Sequence, residues 1–169
     1  MLPSEINRTS IGLHKFSHHF SASHLLLTED FSEGLHGHNY YVEIELFGNI
    51  NDNGLVLNFL SLDESLSNII STWDHYTLLP SMNKDLQIKE NGNNFDIQFG
   101  SRFYSLPQDE VKLFECKNVT AEFLAKTVAI SMKEFLQSLN NECNIEEVKV
   151  NVWETPLYFA SYSIQLTRF

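Results

Sequence analysis

The chain has 169 residues, 43% hydrophobic and 20% charged, the size and balance of one compact domain rather than of a disordered tail. Its formal charge of -11 argues against a nucleic-acid footprint, because phosphate backbones are held by clustered Lys and Arg, and an anionic substrate would need local cations. The N-terminal MLPSEINRTSIGL has no basic head followed by an apolar stretch, and no apolar run approaches the roughly 18 residues of a membrane span, so a soluble, cytoplasmic protein is expected.

Residues 15–23 and 38–47 alternate as strands do, the second with Tyr40, Val42, Ile44 and Leu46 on one face and Tyr41, Glu43 and Glu45 on the other. They predict an antiparallel pair. Residues 49–54 carry turn chemistry, and Ser61 followed by Glu64 reads as a capping box opening a helix. Its stripe is Leu62, Leu66, Ile69, Ile70 and Trp73, and it ends at Asp74-His75. Between 84 and 114, short strand-like runs at 86–89, 95–99 and 103–106 are separated by Asn91-Gly92-Asn93 and Gly100-Ser101. This is a small β-meander, expected as a peripheral insertion. A second helix is predicted over 120–139, with Thr120 as N-cap and Phe123, Leu124, Val128, Phe135, Leu136 and Leu139 at helical spacing. Strands at 148–153 and 158–166, joined through Glu154-Thr155-Pro156, close the chain. The order predicts a single α+β domain over 1–169, with two helices on one face of a four-stranded antiparallel sheet. Open sheet edges must be blunted in a monomer or paired in an oligomer.

The two cysteines, Cys116 and Cys143, lack CxxC spacing, so nitrogen and oxygen would have to hold any transition metal. Four of the seven histidines (His14, His18, His19 and His24) lie on or beside the first strand, while His36 and His38 open the second. Residues i and i+2 of a strand share a face about 7 Å apart, so His36 and His38 can converge on one ion, with Gly37 leaving the backbone between them unobstructed. His24 can add a third imidazole from the facing strand, and three neutral nitrogens with an open position describe a catalytic zinc site. The alternative is a set of isolated surface or core histidines, to which His14, His18 and His19 are assigned. Asp74-His75 reads either as a proton-moving pair or as a polar helix end. Glu154 reads either as a carboxylate accepting two N–H donors of a planar heterocycle or as a solvated turn residue.

Six segments, Phe20-Ser-Ala-Ser-His24, Leu35-His-Gly-His-Asn-Tyr40, Gly54-Leu-Val-Leu-Asn-Phe59, Trp73-Asp-His75, Thr120-Ala-Glu122 and Val150-Asn-Val-Trp-Glu-Thr155, together resemble the 6-pyruvoyl-tetrahydropterin and 6-carboxytetrahydropterin synthase family. The resemblance implies the tunnelling fold (T-fold), in which strand pairs from several subunits close a barrel with active sites between subunits, here a homohexamer of two stacked trimers. It further implies that His24, His36 and His38 bind zinc and that Asp74 and His75 handle protons. Glu154 would anchor the pterin, with Thr120 and Glu122 near the ring, and the substrate would be 7,8-dihydroneopterin triphosphate.

One departure bears on the product. Family members making the pyruvoyl or carboxy compound carry a cysteine shortly before the HGH, whereas here the stretch is Thr28-Glu-Asp-Phe-Ser-Glu-Gly-Leu-His36. Glu33 gives an ExxHGH pattern that resembles the branch supplying 6-hydroxymethyl-7,8-dihydropterin for folate-type cofactors, which implies side-chain cleavage with Glu33 as base. The alternatives are pyruvoyl or carboxy synthase activity, with Cys116 approaching the site, and a non-catalytic zinc- and pterin-binding homologue. A zinc hydrolase acting on another small heterocycle is a further reading.

Overall fold

The computed structural model describes residues 8–14, 16–139 and 144–166; residue 15 and Cys143 lie outside them. The chain runs β1 (Thr9–Leu13), β2 (His19–Leu27), β3 (Ser32–Gly48), α1 (Phe59–Ser71), β4 (Tyr76–Pro80), β5 (Gln87–Asn91), β6 (Asn94–Phe99), β7 (Arg102–Pro107), β8 (Val111–Phe114), α2 (Ala121–Ser138), β9 (Ile145–Trp153) and β10 (Phe159–Gln165), with a 3-10 turn at Gln108–Glu110. The architecture is α+β. No helix among the described residues is long and apolar enough to cross a membrane.

The four expected strands form the antiparallel centre β10-β9-β3-β2. The sheet is larger than expected: β1 also pairs with β3, and β4 and β8 extend it beyond β2 in parallel register, making seven strands. These additions escape a periodicity search because β4 and β8 have only five and four residues and β4 is buried on both faces. Leu78 of β4 joins the main core while Leu79 joins a second one, so no polar–apolar alternation is left to detect. Consequently the segment 84–114 is not wholly peripheral, since its last strand, β8, belongs to the main sheet.

The main core lies between the sheet and both helices. Phe20, Tyr40, Val42, Ile44, Leu46, Val148, Val150 and Val152 meet Leu62, Leu66 and Ile70 of α1 and Leu124, Val128, Met132 and Leu136 of α2. The bulkier Phe123, Phe135 and Leu139 flank this seam half-buried, and the deepest α2 positions include Ala125 and Ala129, small enough for the helix to sit close to the sheet. Thr120 caps α2 by accepting from the Phe123 N–H at 3.3 Å. Helix α1 begins one turn earlier than the Ser61–Glu64 pair suggests: Asn58 is the N-cap, accepting from the Leu60 N–H at 2.9 Å, and the helix stops at Ser71, before Asp74-His75. Phe59 and Leu60 are exposed in that first turn, so the apolar stripe starts after the true cap.

Strands β5, β6 and β7 form a three-stranded meander as expected, turning at Gly92 (φ 61°) and Gly100 (φ 56°), where a left-handed backbone favours glycine. Ile97, Phe99 and Leu86 pack with Leu25 and Leu27 of β2, Leu79 and Val111 in the second core. Leu25 and Leu27 alternate with Phe20, Ala22 and His24 along β2, which places the meander on the sheet face opposite the helices.

The cap assignment has a direct test. Asn58→Ala should lower unfolding free energy by ~1 kcal/mol, as loss of an N-cap does, whereas Ser61→Ala, inside the helix, should change it by less than ~0.5 kcal/mol. Urea unfolding of the two variants separates the two starts.

Candidate active site

Ladder register brings three imidazoles together. His24 of β2 stands directly opposite His36 of β3, and Ala22 opposite His38. The ring centroids lie 4.6 Å apart for His24 and His36, 5.2 Å for His24 and His38, and 4.9 Å for His36 and His38. One ligating nitrogen from each falls within 4.8 Å of the others, so the group can hold a metal ion. At Gly37 between them, a Cβ would stand 3.3 Å from the Ala22 carbonyl oxygen of the facing strand, tighter than ordinary van der Waals contact.

Hydrogen bonds at the far side of two rings orient them. His24 Nδ1 is 2.8 Å from the Val119 carbonyl and His36 Nδ1 is 2.8 Å from the Gly34 carbonyl. A carbonyl only accepts, so Nδ1 carries a hydrogen in each and Nε2 is the nitrogen turned toward the cluster, the arrangement of a metal-ligating histidine with its outer partner. Nε2 of His24 and of His38 are buried without a hydrogen-bond partner, a cost of ~1–3 kcal/mol each that a bound cation would relieve. Burial lowers the pKa of both His24 and His38 below the ordinary value, keeping them neutral. The Glu154 Oε1 atom lies 3.4 Å from His24 Nε2 and 3.6 Å from His38 Nε2. A carboxylate this close to two ring nitrogens favours positive charge between them. His18 is the contrast: equally buried, it has both ring nitrogens 3.1 Å from hydroxyls, of Ser17 and Ser67.

A cavity of about 280 Å³ opens beside the cluster, lined by His24, Leu26, Glu33, Thr120, Glu122 and Glu154 among others. Glu33 Oε2 is 3.7 Å from His36 Nε2. Four expected residues around the histidines, Glu33, Glu154, Thr120 and Glu122, are thus gathered within one chain. The Asn118 side chain, which sequence reasoning missed, clasps Leu27 by accepting from its N–H at 3.0 Å and donating to its carbonyl at 2.8 Å. This fixes the approach to Thr120.

Asp74 and His75 are not brought to that cavity. Asp74 accepts from the Ser21 N–H at 2.8 Å and from His75 Nδ1 at 2.9 Å, and the Ser21 backbone donor, followed by His75, holds its carboxyl below the usual range. His75 has φ 65° and a side chain 82% exposed, strained backbone for a residue with a Cβ. It lines a more open depression with Ser21, Ser23, Asn39 and Thr77, which His38 of the cluster also borders but Glu33, Thr120, Glu122 and Glu154 do not. Cys116 is half-buried against the main core and lines neither hollow, and burial pushes its thiol up to about 11. It supplies no thiolate at neutral pH.

The model of the 6-pyruvoyl tetrahydropterin synthase family matches residues 14–165. The chain belongs to this family. A Pyrococcus horikoshii protein named "Putative 6-carboxy-5,6,7,8-tetrahydropterin synthase" is 32% identical over 149 residues, covering 87% of each chain. Among solved structures, the 6-pyruvoyl tetrahydropterin synthase of Plasmodium vivax superposes with a TM-score of 0.87 at 26% identity, over 95% of this chain and 99% of that one. A variant of the P. vivax protein, in which a glutamate described as a catalytic residue is replaced by cysteine, matches with a TM-score of 0.87 at 25% identity over the same shares.

Replacing His36 or His38 by Ala should abolish stoichiometric metal, as read by elemental analysis of the purified variants. Because burial lowers the pKa values of His24 and His38, protonation of these two rings should compete with a bound metal only below the ordinary histidine value of 6.5, which metal content followed against pH would check.

Proposed function

We propose that this chain is a zinc-dependent pterin lyase that takes 7,8-dihydroneopterin triphosphate and releases 6-hydroxymethyl-7,8-dihydropterin. The observation carrying the reading is Glu33 at 3.7 Å from His36, in a cavity that no cysteine lines among the described residues. A glutamate described as catalytic in the P. vivax relative supports a carboxylate in this role.

Zinc held by His24, His36 and His38 would act as a Lewis acid on the side-chain hydroxyl oxygens. Glu154 would accept the 2-amino group and the adjacent ring N–H, at ~1.5–3 kcal/mol for each charge-assisted bond before desolvation. Thr120 and Glu122 would border the ring at the start of α2. Glu33 would remove the proton of the second side-chain hydroxyl. The bond between the first and second side-chain carbons then breaks, its electron pair is delocalised into the ring, and the first carbon takes up a proton. The second carbon leaves as an aldehyde carrying the phosphates. No thiolate is needed.

Asp74 and His75, standing apart from this cavity, would serve the cavity of a second copy in a homohexamer. The open edges of β10 and β8 and the exposed Leu157, Tyr158 and Phe159 beside the cavity support such an assembly. A second reading, 6-carboxytetrahydropterin synthase activity, is favoured by the name of the Pyrococcus relative.

Glu33→Ala should keep metal and pterin binding while losing ~10²–10⁴-fold in turnover, the usual cost of removing a general base. Chromatography of the products decides between readings: a parent protein releasing only the pyruvoyl or carboxy compound, or an Ala variant at the parent rate, would remove Glu33 as base. Light scattering should give the mass of six chains, and a monomer at micromolar concentration would contradict the shared-site arrangement.

A further inference from the structure

Glu33 and His36 are three residues apart on one strand, and in a regular strand residues three apart point to opposite faces. Here both side chains meet on the face of the histidine cluster. The cause is a β-bulge: His24 pairs with His36 and Leu26 with Glu33, so Gly34 and Leu35 of β3 stand against Leu25 alone. The extra residue restores Glu33 to the site face at the cost of ladder hydrogen bonding. At this bulge the Leu35 N–H donates instead to the Tyr104 hydroxyl of the meander, at 3.3 Å. A Cβ at Gly34 would stand 3.2 Å from that hydroxyl and 3.7 Å from the Arg102 guanidinium carbon, so glycine leaves room for the meander to reach the bulge. Tyr104 is itself fixed by stacking on Phe99, with centroids 6.2 Å apart, while Arg102 lies over the same Phe99 ring at 5.3 Å.

We infer that Tyr104 is a positioning residue for the base, its hydroxyl holding the β3 bulge that turns Glu33 onto the face of the three histidines. The inference rests on the reading of Glu33 as base. It gives the meander a part in the chemistry although none of its residues lines the cavity among the described residues.

Tyr104→Phe keeps the ring and removes only the hydroxyl. In the metal-loaded protein, exchange of the Leu35 amide with solvent, followed by NMR against the Ile97 amide of the same meander, should quicken about tenfold, the equivalent of one hydrogen bond. With 7,8-dihydroneopterin triphosphate as substrate, kcat should fall about tenfold with KM and metal stoichiometry unchanged, and the same substitution should have no further effect on the residual rate of Glu33→Ala, as expected of a residue acting through another. Unchanged Leu35 exchange, an equal loss in both backgrounds, or a change confined to KM would overturn the inference. Should Glu33→Ala turn over at the parent rate, the base reading falls instead, and the exchange measurement alone still decides whether Tyr104 holds the bulge.

Discussion

Register along the β2–β3 ladder is the constraint from which the site follows. A slip of one residue would send every imidazole of one strand to the opposite face. The main core resists that slip, because Phe20 and Tyr40, paired across the ladder, stack with centroids 5.0 Å apart and are fully buried. Farther along β3, Val42, Ile44 and Leu46 continue the same buried face into the contact with β9. Hydrophobic packing thus fixes where the histidines point, and Ala22, the small residue opposite His38, adds little bulk where the rings converge.

Electrostatics then define what the cluster can hold. Three imidazoles converge, Glu154 presents an oxygen toward two of them, and Glu33 presents another toward the third. Donors are scarce. Tyr40, on the same strand face, has its hydroxyl buried, and its pKa is pushed up by that burial and by the Glu154 carboxylate, so it stays neutral and adds no further negative charge. An acceptor-rich, partly desolvated cluster in a chain already carrying an excess of acids favours a cation or strong donors at its centre.

Much of this was legible because it rests on local pattern. The HGH stretch on an alternating strand places two imidazoles on one face by the two-residue period alone, Thr120 announces α2 by its cap, and Asn91-Gly92 announces the meander. What escaped has physical reasons. Strand β4 faces one core with Leu78 and another with Leu79, so it carries no alternation, and β8 is too short for a periodic signal. Asn58 went unread because Phe59 and Leu60 are exposed. The bulge at Gly34 and Leu35 is visible only once the partner strand is known, since sequence spacing by itself puts Glu33 and His36 on opposite faces. Likewise, nothing in the sequence shows that the Ser21 backbone holds Asp74-His75 at the β4 edge of β2, apart from the cavity that Glu33 lines.

Support along β3 is uneven, and this explains why the meander matters. From Tyr41 to Gly48 the strand is flanked by β9 on one side and by β2 or β1 over most of the other. From Ser32 to Tyr40 its only ladder partner among the described residues is β2. The half-paired stretch carries Glu33, His36 and His38, and it contains the bulge, so its backbone has fewer bonds holding it in place than the rest of the strand. One contact from outside the ladder reaches this stretch directly, the Tyr104 hydroxyl on Leu35 from the meander side, while the Val119 carbonyl orients His24 of the facing strand β2 from the helix side. The first holds a backbone amide and the second a ring. The meander thus steadies the β3 segment that sheet pairing alone leaves free along one edge, and the helix side steadies the β2 ring that faces it.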